Sequence, residues 1–338
     1  MSAVSHGGDP VRPTGPGIPG SEPDPAGVPS SARRLTTGNA LRAVFLLLVL
    51  ASGAYWVWKN RHGVADAWSR VTLLPVLGAL AAAACGAWSG VPAWRTLLSG
   101  LGSELPLRAA QRVFLMGQLG KYIPGGVWTV LAQATMAKEY RVPRARSGTA
   151  SLLTVLLAVV TSSVLGAICL AIAGRQVLGR YWWILLLVIP LLAVLHPSVL
   201  VWVGHIASRI TRRNLRMERI PERTLLLAAV WLVGGQTFSG LSFYLLVNSI
   251  GGTVSNPLLS IGLFSMASAA GIVVIFLPAG VGAREIILVF GLSAVSGPGS
   301  AALVVLMSRV VLTVVDVVVA GSAAGLDPKR RLAVSASR

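Results

Sequence analysis

The chain has 338 residues, of which 54% are hydrophobic and only 12% charged, with a mean hydropathy of +0.73. Soluble domains carry roughly 25% charged residues, so this composition argues against a soluble fold. The net charge of +18 comes from 29 Lys and Arg against 11 Asp and Glu, and it would suggest nucleic acid only if the basic residues formed a soluble patch. Instead they lie in short loops beside apolar runs. Arg33, Arg34 and Arg42 precede the first run, Arg209, Arg212, Arg213, Arg216, Arg219 and Arg223 separate two others, and Lys329, Arg330 and Arg331 close the chain. That is a positive-inside pattern, which sets topology and attracts anionic headgroups, and no nucleic-acid partner is expected.

In chain order, residues 1–35 are rich in Pro, Gly and Ser and lack an apolar run, so they are expected to form a disordered cytoplasmic tail. Residues 36–325 form the transmembrane domain, and 326–338 a basic cytoplasmic tail. Apolar runs long enough to cross a hydrocarbon core of about 30 Å lie at 41–58, 72–94, 147–173, 181–204, 224–247 and 299–323. The stretch 41–58 lacks a convincing cleavage site and reads as a retained span rather than a signal peptide. The two cysteines, Cys85 and Cys169, each fall inside a predicted span, without disulfide or zinc spacing.

Two regions break this pattern, each at a proline followed by glycines: Pro124-Gly125-Gly126 within 113–137, and Pro278-Ala279-Gly280-Val281-Gly282 within 258–296. Such breaks free backbone N–H and C=O groups, which a bilayer tolerates only against protein or a water-filled cavity. Charge counting places the 95–112 loop, the 138–146 loop, the 205–223 loop and both termini in the cytoplasm. Region 113–137 then enters and leaves from inside, while 258–296 begins and ends outside, as an opposite hairpin or as two spans. The spans 72–94 and 299–323 run inward, and 147–173 and 224–247 outward. Pro124 and Pro278 are 154 residues apart, and the same offset lays 147–168 over 301–322. The fold class expected is therefore all-α: a polytopic membrane helix bundle of about six to eight spans, with two Pro-Gly broken, re-entrant hairpins in an inverted repeat. The basic loop 59–72, with Lys59, Arg61 and Arg70 against Asp66, fits this topology least well, because it must be external.

Charged residues at membrane depth are costly and mark candidate sites. Arg309 and Asp316 are seven residues apart in the last span, hence on one helical face. They read either as a phosphate contact held or relayed by Asp316, or as a structural ion pair. Glu285, in the first turn after the second loop, complements exposed N–H groups. Arg284 beside it reads as an anion contact or as a snorkelling side chain. Lys121 and Tyr122, one turn after Gln118, form either a polar surface for a headgroup or a snorkelling cation with an interfacial aromatic, as Trp128 would be. Gln236 and His196 read as structural, Gln236 through an interhelical hydrogen bond. No catalytic constellation, metal-binding spacing or cofactor motif is found, so neither an enzyme nor a cofactor is expected.

The segments GQLGKYIPGGVW (117–128), FLPAGVGAREIIL (276–288) and SRVVLTVVDVV (308–318) resemble the transmembrane region of lysylphosphatidylglycerol synthases, a broad family of flippase-like integral membrane proteins. The resemblance spans roughly 40–325. It implies a cell-membrane protein that moves or handles an anionic lipid-linked substrate, either an aminoacylated phospholipid or a polyprenyl-phosphate sugar. The matching positions are Pro124, Gly125, Gly126, Pro278, Gly280, Gly282, Arg284, Glu285 and Arg309. Many relatives carry a Glu-Arg pair where Thr154 and Val155 stand here, and the aminoacylating domain of the full synthases is absent, so any transferase is a separate membrane protein. The alternative is a non-transporting scaffold for a lipid glycosyltransferase or synthase. A third option is a coupled exporter of small solutes, for which Asp316 is the coupling candidate.

Overall fold

The computed structural model describes residues 58, 61–123, 127–173, 221–251, 256–273 and 282–325. All fall in the second of two units into which the chain divides, Arg42–Arg338. The expected spans 41–58 and 181–204, both tails, His196, and the loop residues Pro124, Gly125, Gly126, Pro278 and Gly280 lie outside the described residues, apart from Trp58.

Among the described residues there are nine α-helices: α1 (Arg61–Ser69), α2 (Leu73–Gly100), α3 (Leu107–Gln118), α4 (Trp128–Ala137), α5 (Arg144–Ile172), α6 (Glu222–Ser249), α7 (Pro257–Val273), α8 (Ala283–Ser296) and α9 (Pro298–Ala324). Short 3-10 turns follow α3 (Leu119–Tyr122) and α4 (Lys138–Tyr140). Five of the nine begin at a proline: Pro106, Pro143 and Pro221 immediately precede α3, α5 and α6, and Pro257 and Pro298 open α7 and α9. A proline stands there at little cost, because the N–H it lacks would have no helical partner in the first turn.

Helices α2, α5, α6 and α9 are long and apolar enough to cross a membrane, so the chain is a multi-pass membrane protein. They coincide within a few residues with the runs expected at 72–94, 147–173, 224–247 and 299–323. Their outward faces carry Leu74, Leu226, Val230 and Val318, all exposed, as suits helices solvated by lipid.

Small residues hold the bundle together. Helices α2 and α6 meet at Gly86 and Gly235, where a Cβ on Gly86 would stand 3.0 Å from the Gly235 carbonyl oxygen, so only small residues permit this approach. At one end Thr72 donates to the Ser249 carbonyl from both its N–H (2.8 Å) and its hydroxyl (3.1 Å), which fixes α2 and α6 as antiparallel neighbours. Helices α5 and α7 are likewise antiparallel, Gly166 lying against Met266 and Gly262 against Leu170. Helix α9 runs in the direction of α2. Its Ala301 shares a buried cluster with Ala67 and Ala79, and its Ala323 one with Trp94, Leu97 and Leu98. These relative directions agree with those that charge counting expects.

At the other end of α2, the buried Trp94 indole donates to Ser151 Oγ in α5 at 3.0 Å. The Ser151 hydroxyl in turn lies 2.5 Å from Gln133 Oε1 in α4, and Gln133, 1% exposed, also reaches the Phe114 carbonyl of α3 at 3.4 Å. Four helices are thereby joined through polar groups that would each cost about 1–3 kcal/mol if left unpaired.

Candidate functional site

The site is assembled on α9. Its residues Arg309, Thr313 and Asp316 are spaced i, i+4, i+7 and so share one face, and each acidic or basic group on that face engages the residues flanking one Pro-Gly loop.

Before the first loop, α3 tightens into the 3-10 turn Leu119–Tyr122 and folds back onto α4. Glycine is required for the return: a Cβ on Gly120 would lie 2.7 Å from Thr129 N and 2.8 Å from the Trp128 carbonyl carbon, backbone atoms that have nowhere to move. Gly120→Ala is therefore expected to destabilise the fold by about 1–3 kcal/mol, the usual cost of overpacking. A lowered midpoint of thermal unfolding in detergent would show it, and an unchanged midpoint would refute the close approach. The turn delivers Lys121 and Tyr122 to α9. Lys121 Nζ pairs with Asp316 Oδ2 at 2.6 Å, and the Tyr122 hydroxyl donates to the same oxygen at 2.6 Å while lying 3.4 Å from Thr313 Oγ1.

After the second loop, Gly282 takes φ +99°, a region that side chains disfavour, and α8 starts at the next residue. Glu285 Oε2 accepts the Gly282 N–H at 2.7 Å, and Oε1 accepts from Arg309 Nη1 at 3.1 Å. The Arg284 guanidinium lies over the Phe264 ring of α7, 4.5 Å from its centroid, and its Nε is buried without a hydrogen-bond partner.

These groups open onto a cavity of about 1310 Å³ bounded by α2 to α9. Its walls are mainly apolar, with Leu131, Leu152, Leu232, Phe264 and Leu312 among them, yet five cations line it, Lys121, Lys138, Arg144, Arg284 and Arg309, against the single carboxylate of Asp316. Small-molecule pockets run to about 300–1,000 Å³, so the space exceeds what a compact solute needs. Among the described residues no group of three or more His, Cys, Asp or Glu could hold a metal ion.

Several expectations are corrected. Arg309 and Asp316 share a face but do not pair with one another; each is matched to a residue from a different loop, because those partners come closer than two turns of helix allow. The Tyr122 hydroxyl and the Lys121 ammonium both end on Asp316. Among the described residues Gln236 has no interhelical hydrogen-bond partner; it lines the cavity, as do Gln118, Thr154 and Val155. Thr154 satisfies its own hydroxyl on the Ala150 carbonyl at 2.8 Å. Phe264, Gln133, Ser151, Lys138 and Arg144 belong to the site or its support without being expected there. For the glycines that precede the first loop the spacing Gly117-x-x-Gly120 was the available signal, since helical residues three apart share a face.

No curated protein is significantly similar to the chain. The profile of one family, described as the lysylphosphatidylglycerol synthase TM region, matches residues 39–320. That match takes in every helix described above except the last four residues of α9, and the chain belongs to the lysylphosphatidylglycerol synthase TM region family.

Proposed function

We propose that the chain translocates or hands over an anionic lipid-linked substrate across the cell membrane, an aminoacylated phospholipid or a polyprenyl-phosphate sugar being the two candidate classes. One observation carries this reading: a large cavity between membrane helices whose walls are apolar while its charge is five cations to one carboxylate. Apolar surface accepts acyl or prenyl chains, and the cations accept a phosphate. In this reading Lys121, Tyr122, Arg284, Glu285, Arg309 and Asp316 form the substrate surface, to which Pro124, Gly125, Gly126, Pro278, Gly280 and Gly282 also contribute. The protein is not itself an enzyme, needs no cofactor, and works with a separate membrane transferase.

The mechanism proposed is alternating access. Residues 113–137 and 258–296 act as re-entrant hairpins of opposite orientation, related by an inverted repeat within a bundle of about six to eight spans, with both termini cytoplasmic. Support comes from the antiparallel directions of α2 and α6 and of α5 and α7, and from the attachment of each loop's flank to α9. Opening either hairpin requires parting one ion pair on α9 while the other holds.

Reconstituted liposomes test the reading. The wild-type chain is expected to move fluorescent phospholipid or polyprenyl-phosphate sugar between leaflets, and Arg309→Ala or Arg284→Ala to slow this by about tenfold or more, as loss of a charge-assisted contact would. A wild type that moves neither lipid would overturn transport and favour the scaffold.

A further inference from the structure

The charges at the α9 end of the cavity do not cancel, and the one left over belongs to a particular residue. Of the two carboxylates, Asp316 Oδ2 is shared by Lys121 and Tyr122, and Glu285 spends one oxygen on Arg309 and the other on the Gly282 N–H. Arg284 therefore has no carboxylate within ion-pair distance among the described residues; its contacts are the Phe264 ring face and a buried, unpartnered Nε. The adjoining loop residues 124–126 and 274–281 contain no charged side chain, so they supply no counter-ion. Among the described residues at the α9 end, three cations, Lys121, Arg284 and Arg309, face two anions, Glu285 and Asp316, for a net charge of one, while Lys138 and Arg144 line the same cavity from the end of α4 and the start of α5. A guanidinium stays protonated at any physiological pH, and an uncompensated charge among membrane helices is unfavourable until an anion joins it.

We infer that this site selects lipids whose head bears a single negative charge as a phosphodiester, with Arg284 as the residue that binds the phosphate and sets the selectivity. The inference rests on the lipid-handling reading above and narrows it to a charge class, one that excludes the aminoacylated phospholipid, whose ammonium offsets the phosphate charge, and keeps the polyprenyl-phosphate sugar. A phosphodiester carries one negative charge and brings the cluster to neutrality. A phosphomonoester carries about 1.5–2 at neutral pH and overshoots, and a zwitterionic head leaves the cluster's excess in place. The fork of N–H donors on Arg284 suits two phosphate oxygens, and the Phe264 ring, 4.5 Å from the guanidinium carbon, steadies the cation. The mainly apolar walls accept the chain esterified to the other side of the phosphate.

The experiment measures lipid retention by native mass spectrometry of the purified full-length protein, offered equal mixtures of phosphatidylglycerol, phosphatidic acid, phosphatidylethanolamine and a polyprenyl phosphoglucose. Wild type is expected to retain phosphatidylglycerol or the polyprenyl phosphoglucose, each a singly charged phosphodiester, over the other two. Which of these two is retained decides whether the source is a glycerophospholipid or a prenyl carrier, and either result supports the inference. Arg284→Gln is expected to lower that retention by roughly tenfold or more, while Arg284→Lys, which keeps the charge, preserves the order of preference. Asp316→Asn raises the cluster's net charge by one and is expected to shift preference toward phosphatidic acid. The inference is overturned if wild type retains phosphatidic acid at least as well as the diesters, if Arg284→Gln keeps wild-type selectivity, or if Asp316→Asn leaves the order unchanged. Because retention needs no transport, a chain that selects diesters yet scrambles no lipid would refute the transport reading and leave this selectivity standing.

Discussion

Asp316→Ala is expected to weaken the fold severely and to close down substrate handling with it. The carboxylate is 11% exposed and holds two groups at once, the Lys121 ammonium and the Tyr122 hydroxyl. Its removal leaves an ammonium and a phenol facing an apolar wall, and it unfastens the 3-10 turn from α9. Breaking one side of a fully buried ion pair costs about 3–5 kcal/mol. Lys121 is 36% exposed, so it recovers some solvation and the expected loss is nearer the lower end of that range. The charge-free double variant Lys121→Met/Asp316→Leu separates the two consequences. It removes both charges, and replacing a pair by apolar groups of similar size is often neutral for stability, so thermal unfolding should return most of the way to wild type. Lipid movement should not return. If Asp316→Ala unfolds at the wild-type temperature, the pair does not fasten the turn, and the account of α9 as the common anchor fails.

The four described spans were legible in the sequence because each is a long, mainly apolar run, with a proline at the start of three of them, Pro143 before α5, Pro221 before α6 and Pro298 in α9. The start of α3 was not. It begins at Leu107, whereas its apolar stretch begins at 113, since Arg108 and Arg112 sit on an amphipathic helix that a count of apolar residues overlooks. Arg112 in fact bonds Glu139 and the Tyr140 hydroxyl, each at 3.2 Å, across the α3–α4 pair. Within the site, spacing alone put Arg309 and Asp316 on one face, and the position of Glu285 in a first turn foretold its bond to the Gly282 N–H. Partners could not be read the same way. Asp316 is joined to residues more than 190 positions away, and the Phe264 ring beneath Arg284 comes from a helix with no charge or motif to announce it. Local periodicity reports which way a side chain points, while ion pairing across a bundle depends on which helices become neighbours. The small residues that settle this, Gly86 and Gly235 above all, are too common in membrane helices to stand out.

Glu285 offers the second large effect, and two substitutions divide its roles. Glu285→Ala removes the acceptor for the Gly282 N–H at the start of α8 and the partner of Arg309. Losing the cap costs about 0.5–2 kcal/mol. Losing one side of the ion pair costs up to about 3–5 kcal/mol when fully buried and less here, where the two side chains are 25% and 27% exposed. Glu285→Gln keeps a carbonyl oxygen for the Gly282 N–H and abolishes only the charge. The glutamine variant is therefore expected to unfold at a higher temperature than the alanine variant, by the few degrees that a restored cap of about 1 kcal/mol supplies. Both variants remove the Glu285 carboxylate from Arg309, so both should impair lipid movement to a similar degree. Equal unfolding temperatures would mean that Gly282, held at φ +99°, keeps the start of α8 in place without the cap. Normal lipid movement in the glutamine variant would show that the pairing of Arg309 with α8 plays no part in the transport cycle, leaving Asp316 and Lys121 as the pair on α9 that must part.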